Sequence, residues 1–302
     1  MSSIPLPLHT AAVVPPIDAR PWQANPLRLL LASPALVFLA LLFAAPIGYL
    51  FTVSLHPGGG MGRVDPGWTL ANYQRFATDA YYVGILWDTF MYGLTTAAVC
   101  AVLGFPFAYF LARTSSRWRP VLLFITVVPL LVSVVIRNLG WLPILGENGL
   151  LNWLLLRTGL VQQPPQWIFN YLGAVIGMVH VQFPIMILML SATIRKIDPA
   201  IEEAAINLGA TPWQTFWRVV LPLARPGLIA GALLVFMASI SALVTPGILG
   251  GKRVMLMALY INQQIRAVLN YPVGATAAIL TMVAAVVAML VAMRLMAEKA
   301  PK

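Results

Sequence analysis

Six apolar runs, each long enough to cross a bilayer, constrain this chain more than any other feature. They lie near Leu29–Leu55, Thr89–Ala112, Pro120–Ile136, Tyr171–Ile194, Gly227–Leu249 and Ala275–Met296. A membrane-crossing helix needs about 20 apolar residues. In hydrocarbon every backbone N–H and C=O must be satisfied within the segment, so such runs fold as helices. Composition agrees: 60% of the residues are hydrophobic and 9% charged, where soluble chains carry about 25% charged. The expectation is an all-α, polytopic membrane protein with six transmembrane helices. Pro46, Pro106, Pro129 and Pro184 fall inside these runs and mark kinks, which neighbouring helices can tolerate.

Lys and Arg counts set the orientation. With the N-terminus in the cytoplasm, that side holds Arg20, Arg28, Arg113, Arg117, Arg119, Arg195, Lys196, Arg218, Arg225, Arg294, Lys299 and Lys302. The outer side holds Arg63, Arg75, Arg137, Arg157, Lys252, Arg253 and Arg266. Twelve of nineteen basic residues therefore lie inside, and both termini are expected to be cytoplasmic. The net charge of +10 then reflects loop anchoring in the lipid bilayer and not nucleic acid. Arg117-Trp118-Arg119 fits a membrane interface. Residues 1–28 read as a cytoplasmic tail and 29–302 as the transmembrane domain.

Between the fourth and fifth runs lies the one polar, well-punctuated interval, 195–226. Asp198 can cap a helix that has Pro199 at its first position and Glu202 and Glu203 near its positive end. Gly209 offers a left-handed terminator. Thr211, Pro212 and Gln214 then open a second helix with a capping box, and Pro222 and Pro226 are expected to stop it. A rigid, bent, solvent-facing knob of this kind suits docking, although an interfacial helix pair on the lipid surface would share the punctuation.

The residues that chemistry would require are largely missing. No span contains Asp or Glu, with Asp88 only at a boundary, whereas ion-coupled carriers commonly place carboxylates there. Gly58-Gly59-Gly60 and Gly250-Gly251-Lys252 lack the spacing and the Ser/Thr of a phosphate loop. His9, His56 and His180 are isolated, so no catalytic pair and no metal cluster emerges. Cys100 reads as a packing residue. The chain is expected to hold no cofactor, to be no enzyme and to borrow its energy from a partner. Candidate translocation-path or gate residues are Arg137, Asn138, Trp141, His180, Gln182, Ser239, Ser241 and Thr245. For His180 a helix–helix hydrogen bond is the favoured reading, and hydroxyls in spans usually serve packing; Arg137, Asn138 and Trp141 equally suit an interface anchor or the binding of an external partner. The aromatics of the first outer loop, Trp68, Tyr73, Phe76, Tyr81 and Tyr82, read as an interfacial belt, with a surface for an external partner as the alternative.

Glu203-Ala204-Ala205, three residues, Gly209, nine residues, Val219, one residue and Leu221-Pro222 resemble the EAA loop of ABC importer permeases, with Val219 for the usual isoleucine. The likeness extends over about 88–296. Gly104-Phe105-Pro106-Phe107-Ala108-Tyr109 looks like the first core helix of the type I fold. Arg137-Asn138-Leu139-Gly140-Trp141, Gly149-Leu150-Leu151-Asn152, Thr245-Pro246, Leu249-Gly250-Gly251 and Tyr271-Pro272-Val273-Gly274-Ala275 are similar to the spermidine/putrescine subgroup. The resemblance implies a permease subunit in a bacterial inner membrane, paired with a second permease. It also implies a cytoplasmic ATPase dimer carrying ATP and Mg, and a periplasmic substrate-binding protein. It assigns ATPase coupling to Glu202, Glu203, Ala204, Ala205, Gly209, Leu221 and Pro222, and alternating access to the bundle. A polyamine is the preferred solute. An opine, amino-acid derivative or phosphonate is the alternative, and a stand-alone ion-coupled carrier is a distant one.

Overall fold

The computed structural model describes residues 26–59 and 61–297, with side chains from 33 to 294; the tail 1–25 and its Arg20, together with Lys299 and Lys302, lie outside them. Among the described residues the chain is helical, with one isolated bridge, Gly58 to Val64, and no strand. It divides into two units, one ending at Tyr49 and the other beginning at Leu50. The first unit is most of α1 (Pro26–Ser54). Its side chains are exposed without interruption from Pro34 to Tyr49, as an all-round apolar helix in lipid would be.

The second unit begins with α2 (Ala71–Thr78) and α3 (Ala80–Arg113). It continues through α4 (Arg119–Leu131), α5 (Val134–Leu139), α6 (Leu142–Leu145) and α7 (Leu150–Arg157). Then come α8 (Tyr171–Ile194), α9 (Pro199–Asn207), α10 (Pro212–Thr215) and α11 (Leu221–Ile240). α12 (Met257–Gln263) and α13 (Tyr271–Ala297) complete it. The core is the mutual packing of α3, α8 and α11. Ala97, Cys100, Phe105, Ala108 and Leu111 meet Met186, Leu190 and Ile194 from α8, Ala224 and Val235 from α11, and Val220 just before it. Small residues let these backbones approach, the usual device where lipid offers no hydrophobic drive. At Gly227 a β-carbon would lie 2.1 Å from Thr193 Oγ1.

Among the described residues five helices are long and apolar enough to cross a membrane, or six if one bent pair counts as a single span. That pair corrects the third expected span. α4 has 13 residues, which is about 20 Å of helix against a hydrocarbon core of about 30 Å. Pro129 lies inside its last turn, Val132 and Ser133 are extended, and the chain turns by 99° into the α5–α7 segment. The second span also begins earlier than expected, at Ala80, so Asp88 lies within α3 and not at its edge. With 34 residues, α3 is about 51 Å long, longer than a hydrocarbon core of about 30 Å, and Asp88 on it is exposed.

The first outer loop corrects the aromatic-belt reading in part. Phe76 and Tyr82 stack at 4.3 Å and are buried against Tyr260, Met257 and Val273, whereas Trp68 and Tyr81 are exposed. Tyr73 Oη lies 2.6 Å from Ser54 Oγ. The segment from Gly146 to Trp167 is held by one side chain: Asn152 Nδ2 donates to the carbonyls of Gly146, Glu147 and Pro165, and its Oδ1 accepts from Trp167 Nε1.

Candidate functional site

The knob forms as its punctuation dictates. Asp198 Oδ1 accepts from Ala200 N at 2.9 Å, Pro199 starts α9, and the helix ends at Asn207 with Leu208 as its C-cap. Gly209 takes φ +89°, and its N–H and that of Ala210 close the last turn on the carbonyls of Ile206 and Ala205. A β-carbon at Gly209 would touch nothing within 4 Å, so glycine is required there by backbone conformation alone. The capping box is complete, with Thr211 Oγ1 accepting from Gln214 N and Gln214 Oε1 from Thr211 N.

Pro222 and Pro226 do not stop the second helix. Phe216–Val220 is a π-turn, and one helix of 29 residues runs from Pro212 to Ile240. A proline ring clashes with the carbonyl four residues back; the wider π-turn one residue before Leu221 relieves that for Pro222. The fifth span is therefore continuous with the knob and ends at Ile240, not Leu249.

Each residue assigned to the knob has a definite direction. Glu203 and Ala204 face outward, Ala205 is half-buried, and Gly209 is exposed. Around them Leu208 (89% exposed), Trp213 (69%), Ile206 and Trp217 form an apolar surface with no cover among the described residues. Leu221 packs on the core cluster beside a half-buried Pro222. Of the two glutamates, Glu202 turns inward. Its Oε2 accepts from Tyr109 Oη at 2.6 Å, and its Oε1 pairs with Arg113 Nη2. Arg113 Nη1 also donates to the Ile197 carbonyl at 3.0 Å. Tyr109 and Arg113, four apart on one helix face, thus tie the end of α3 to the knob. A basic last turn of α3 was visible in the sequence, but nothing local announces a partner 89 residues away.

A second polar group sits on α8 at His180, about 20 Å along the helix from Ile194. Trp141 Nε1 donates to His180 Nδ1 at 3.0 Å, and Asn138 Nδ2 donates to Thr245 Oγ1 at 2.9 Å. Asn138 Oδ1 and Arg137 Nε and Nη1 are buried without a partner. Five of the eight sequence candidates therefore meet here. Gln182 is buried on the same helix. Ser239 is buried and bonds its own helix at the Val235 carbonyl, a packing role. Ser241 is exposed and lines an open groove of about 600 Å³ with Asn262, Arg266 and Thr281. Among the described residues no three His, Cys, Asp or Glu side chains gather as a metal site.

A family described as binding-protein-dependent transport system inner membrane component matches residues 100–300. This chain belongs to that family. It is 36% identical over 211 residues to the spermidine/putrescine transport system permease protein PotB of Escherichia coli (strain K12), covering 70% of this chain and 76% of that protein. Its fold is similar to that of a bacterial ABC transporter involved in the import of the acidic polysaccharide alginate. There the TM-score is 0.67 and the identity 18%, covering 91% of this chain and 96% of the other. A second structure of an alginate transporter, in complex with an alginate-bound periplasmic protein, matches with TM-score 0.65 at 17% identity over 88% and 92% of the two chains. The chain is thus a multi-pass membrane protein with the ABC importer permease fold, from a transport family and not a catalytic one.

Proposed function

We propose that this chain is one permease subunit of an ATP-driven importer that moves a polyamine, spermidine or putrescine, into the cytoplasm. The carrying observation is the capped elbow 195–226, which presents Leu208, Trp213 and Trp217 to solvent. An apolar surface of this kind marks a site for another protein. A cytoplasmic ATPase dimer carrying ATP and Mg docks there, a second permease completes the path, and a periplasmic binding protein delivers the solute. Both termini and the elbow lie on the cytoplasmic side of a bacterial inner membrane, in keeping with the excess of Lys and Arg there. Closure of the ATPase dimer moves the elbow, the bundle opens outward, and hydrolysis resets it. The likeness to a spermidine/putrescine permease over three-quarters of its length supports the solute class.

One observation favours a second reading, a solute bearing a carboxylate or phosphonate. Arg137 keeps two buried nitrogens unpaired, and no carboxylate among the described residues pairs with it. Reconstitution of the complete complex in proteoliposomes distinguishes the two. Labelled spermidine or putrescine accumulates, needing ATP on the cytoplasmic side, under the first. Accumulation of an anionic amino-acid derivative and exclusion of both polyamines would replace it with the second. Uptake driven by an ion gradient without the ATPase would refute both.

A further inference from the structure

We infer that Glu202 is a positioning residue, the pin that passes the elbow's motion into α3, and that it does not touch the motor. The inference rests on the elbow being the docking site. Three observations carry it. First, Glu202 sits in the first turn of α9, yet only 9% of it is exposed, while its neighbour Glu203 faces solvent. Two successive helical residues point about 100° apart, so one can serve the partner and the other the bundle. Second, both carboxylate oxygens are occupied from α3, by Tyr109 Oη and by Arg113. Arg113 reaches past it to the Ile197 carbonyl, so the link holds both the helix and the strand of chain that enters it. Third, Phe216 of the π-turn sets its ring edge-on to Phe105 and Tyr109, 5.1 and 6.5 Å between centroids. The two arms of the elbow are thereby fastened to one helix.

That helix reaches the far side of the bundle. Near its other end Thr89 Oγ1 accepts from Met257 N at 2.9 Å, Tyr92 Oη donates to the Ala174 carbonyl at 3.1 Å, and Tyr82 and Ile85 pack with Tyr260 and Val273. A displacement delivered to α9 therefore has a continuous helical path, α3, to α12 and α13. The charge matters as well as the geometry. A carboxylate that accepts from a guanidinium and a phenol holds both donors in one arrangement more firmly than a neutral amide can. Arg113 Nε is already buried without a partner, so loss of the carboxylate leaves the guanidinium more poorly paired still.

The test uses the complete complex of this chain with its second permease, the ATPase pair and the binding protein. Variants are Glu202→Gln, Tyr109→Phe, the exchange Glu202→Arg with Arg113→Glu, and Trp213→Asp as a control on the docking face. For Glu202→Gln we expect ATPase subunits retained within about two-fold of wild type and ATP still hydrolysed, with solute moved per ATP reduced at least ten-fold. Tyr109→Phe, which keeps the ring and the fold, should reduce that ratio by a smaller factor. The exchange should recover part of it. Release of the ATPase by Glu202→Gln, as by Trp213→Asp, would place Glu202 on the docking face and overturn the inference. So would an unchanged ratio of transport to hydrolysis in both Glu202→Gln and Tyr109→Phe. If Trp213→Asp leaves docking intact, it is the assignment of the elbow that fails.

Discussion

The elbow can act as a lever only if its base is rigid, and the base closes where α8 and α11 cross at Thr193 and Gly227. In an exposed helix interior, glycine to alanine gains about 1 kcal/mol from propensity. Here the added β-carbon would stand 2.1 Å from Thr193 Oγ1, 2.4 Å from its Cβ and 2.8 Å from its Cγ2. A rotamer change can move the hydroxyl and the methyl but not the β-carbon. Ordinary contact begins at 3.4 Å, so the two helices must part by about 1 Å. Overpacking of this kind costs about 1–3 kcal/mol, and a clash that no rotamer relieves belongs at the upper end. Set against the propensity gain, Gly227→Ala should lose about 2 kcal/mol. At about 2–4 °C per kcal/mol for a domain of this size, Tm in detergent falls by about 4–8 °C. Thr193→Gly removes all three clashing atoms, so the double variant should recover most of the loss despite a second helical glycine. The readouts are thermal retention of a monodisperse peak for stability and ATP-driven uptake for function. A Gly227→Ala chain as stable as wild type, or a double variant no better than the single, would refute the packing argument.

Gly209→Ala meets no neighbour but must adopt φ +89°, so it should cost about 1 kcal/mol and lower uptake without dispersing the complex; equal uptake at all temperatures would count against a rigid elbow. Asn152→Ala deletes four hydrogen bonds, at about 1 kcal/mol each. It should therefore expose the 146–167 segment to protease or hydrogen exchange while α8 stays protected. Asn138→Ala leaves Thr245 without its donor and should cost about 1–2 kcal/mol in thermal stability. Tyr92→Phe removes the bond to the Ala174 carbonyl across α3 and α8, with an expected loss of about 1 kcal/mol.

The spans were legible because hydrocarbon leaves the backbone one local solution and because apolar length is counted directly. The elbow was legible because caps are local: Asp198, Gly209 and the Thr211–Gln214 pair need only their own neighbours. The rest is decided by distant contacts and by a change of helical register, which no local stretch of sequence carries. Pro222 looked like a stop, and a π-turn before it carries the helix through. Pro120–Ile136 looked like one span, yet Pro129 and the extended Ser133 turn it by 99°. Phe76 and Tyr82 looked interfacial because their burying partner, Tyr260, lies far along the chain. Glu202 and Glu203 are indistinguishable as letters. Only the position of Arg113 and Tyr109 separates a residue that braces the elbow from one that faces out.

The central claim is that Glu203-Ala204-Ala205 faces the cytoplasm and meets an ATPase. Cys100, the one native cysteine, is fully buried, so Ala204→Cys adds the accessible thiol. In sealed cells it should resist a membrane-impermeant maleimide, react once the membrane is opened, and cross-link to the ATPase subunit in native membranes. Labelling from outside, or reaction inside with no cross-link to that subunit at any spacer length, would contradict the account.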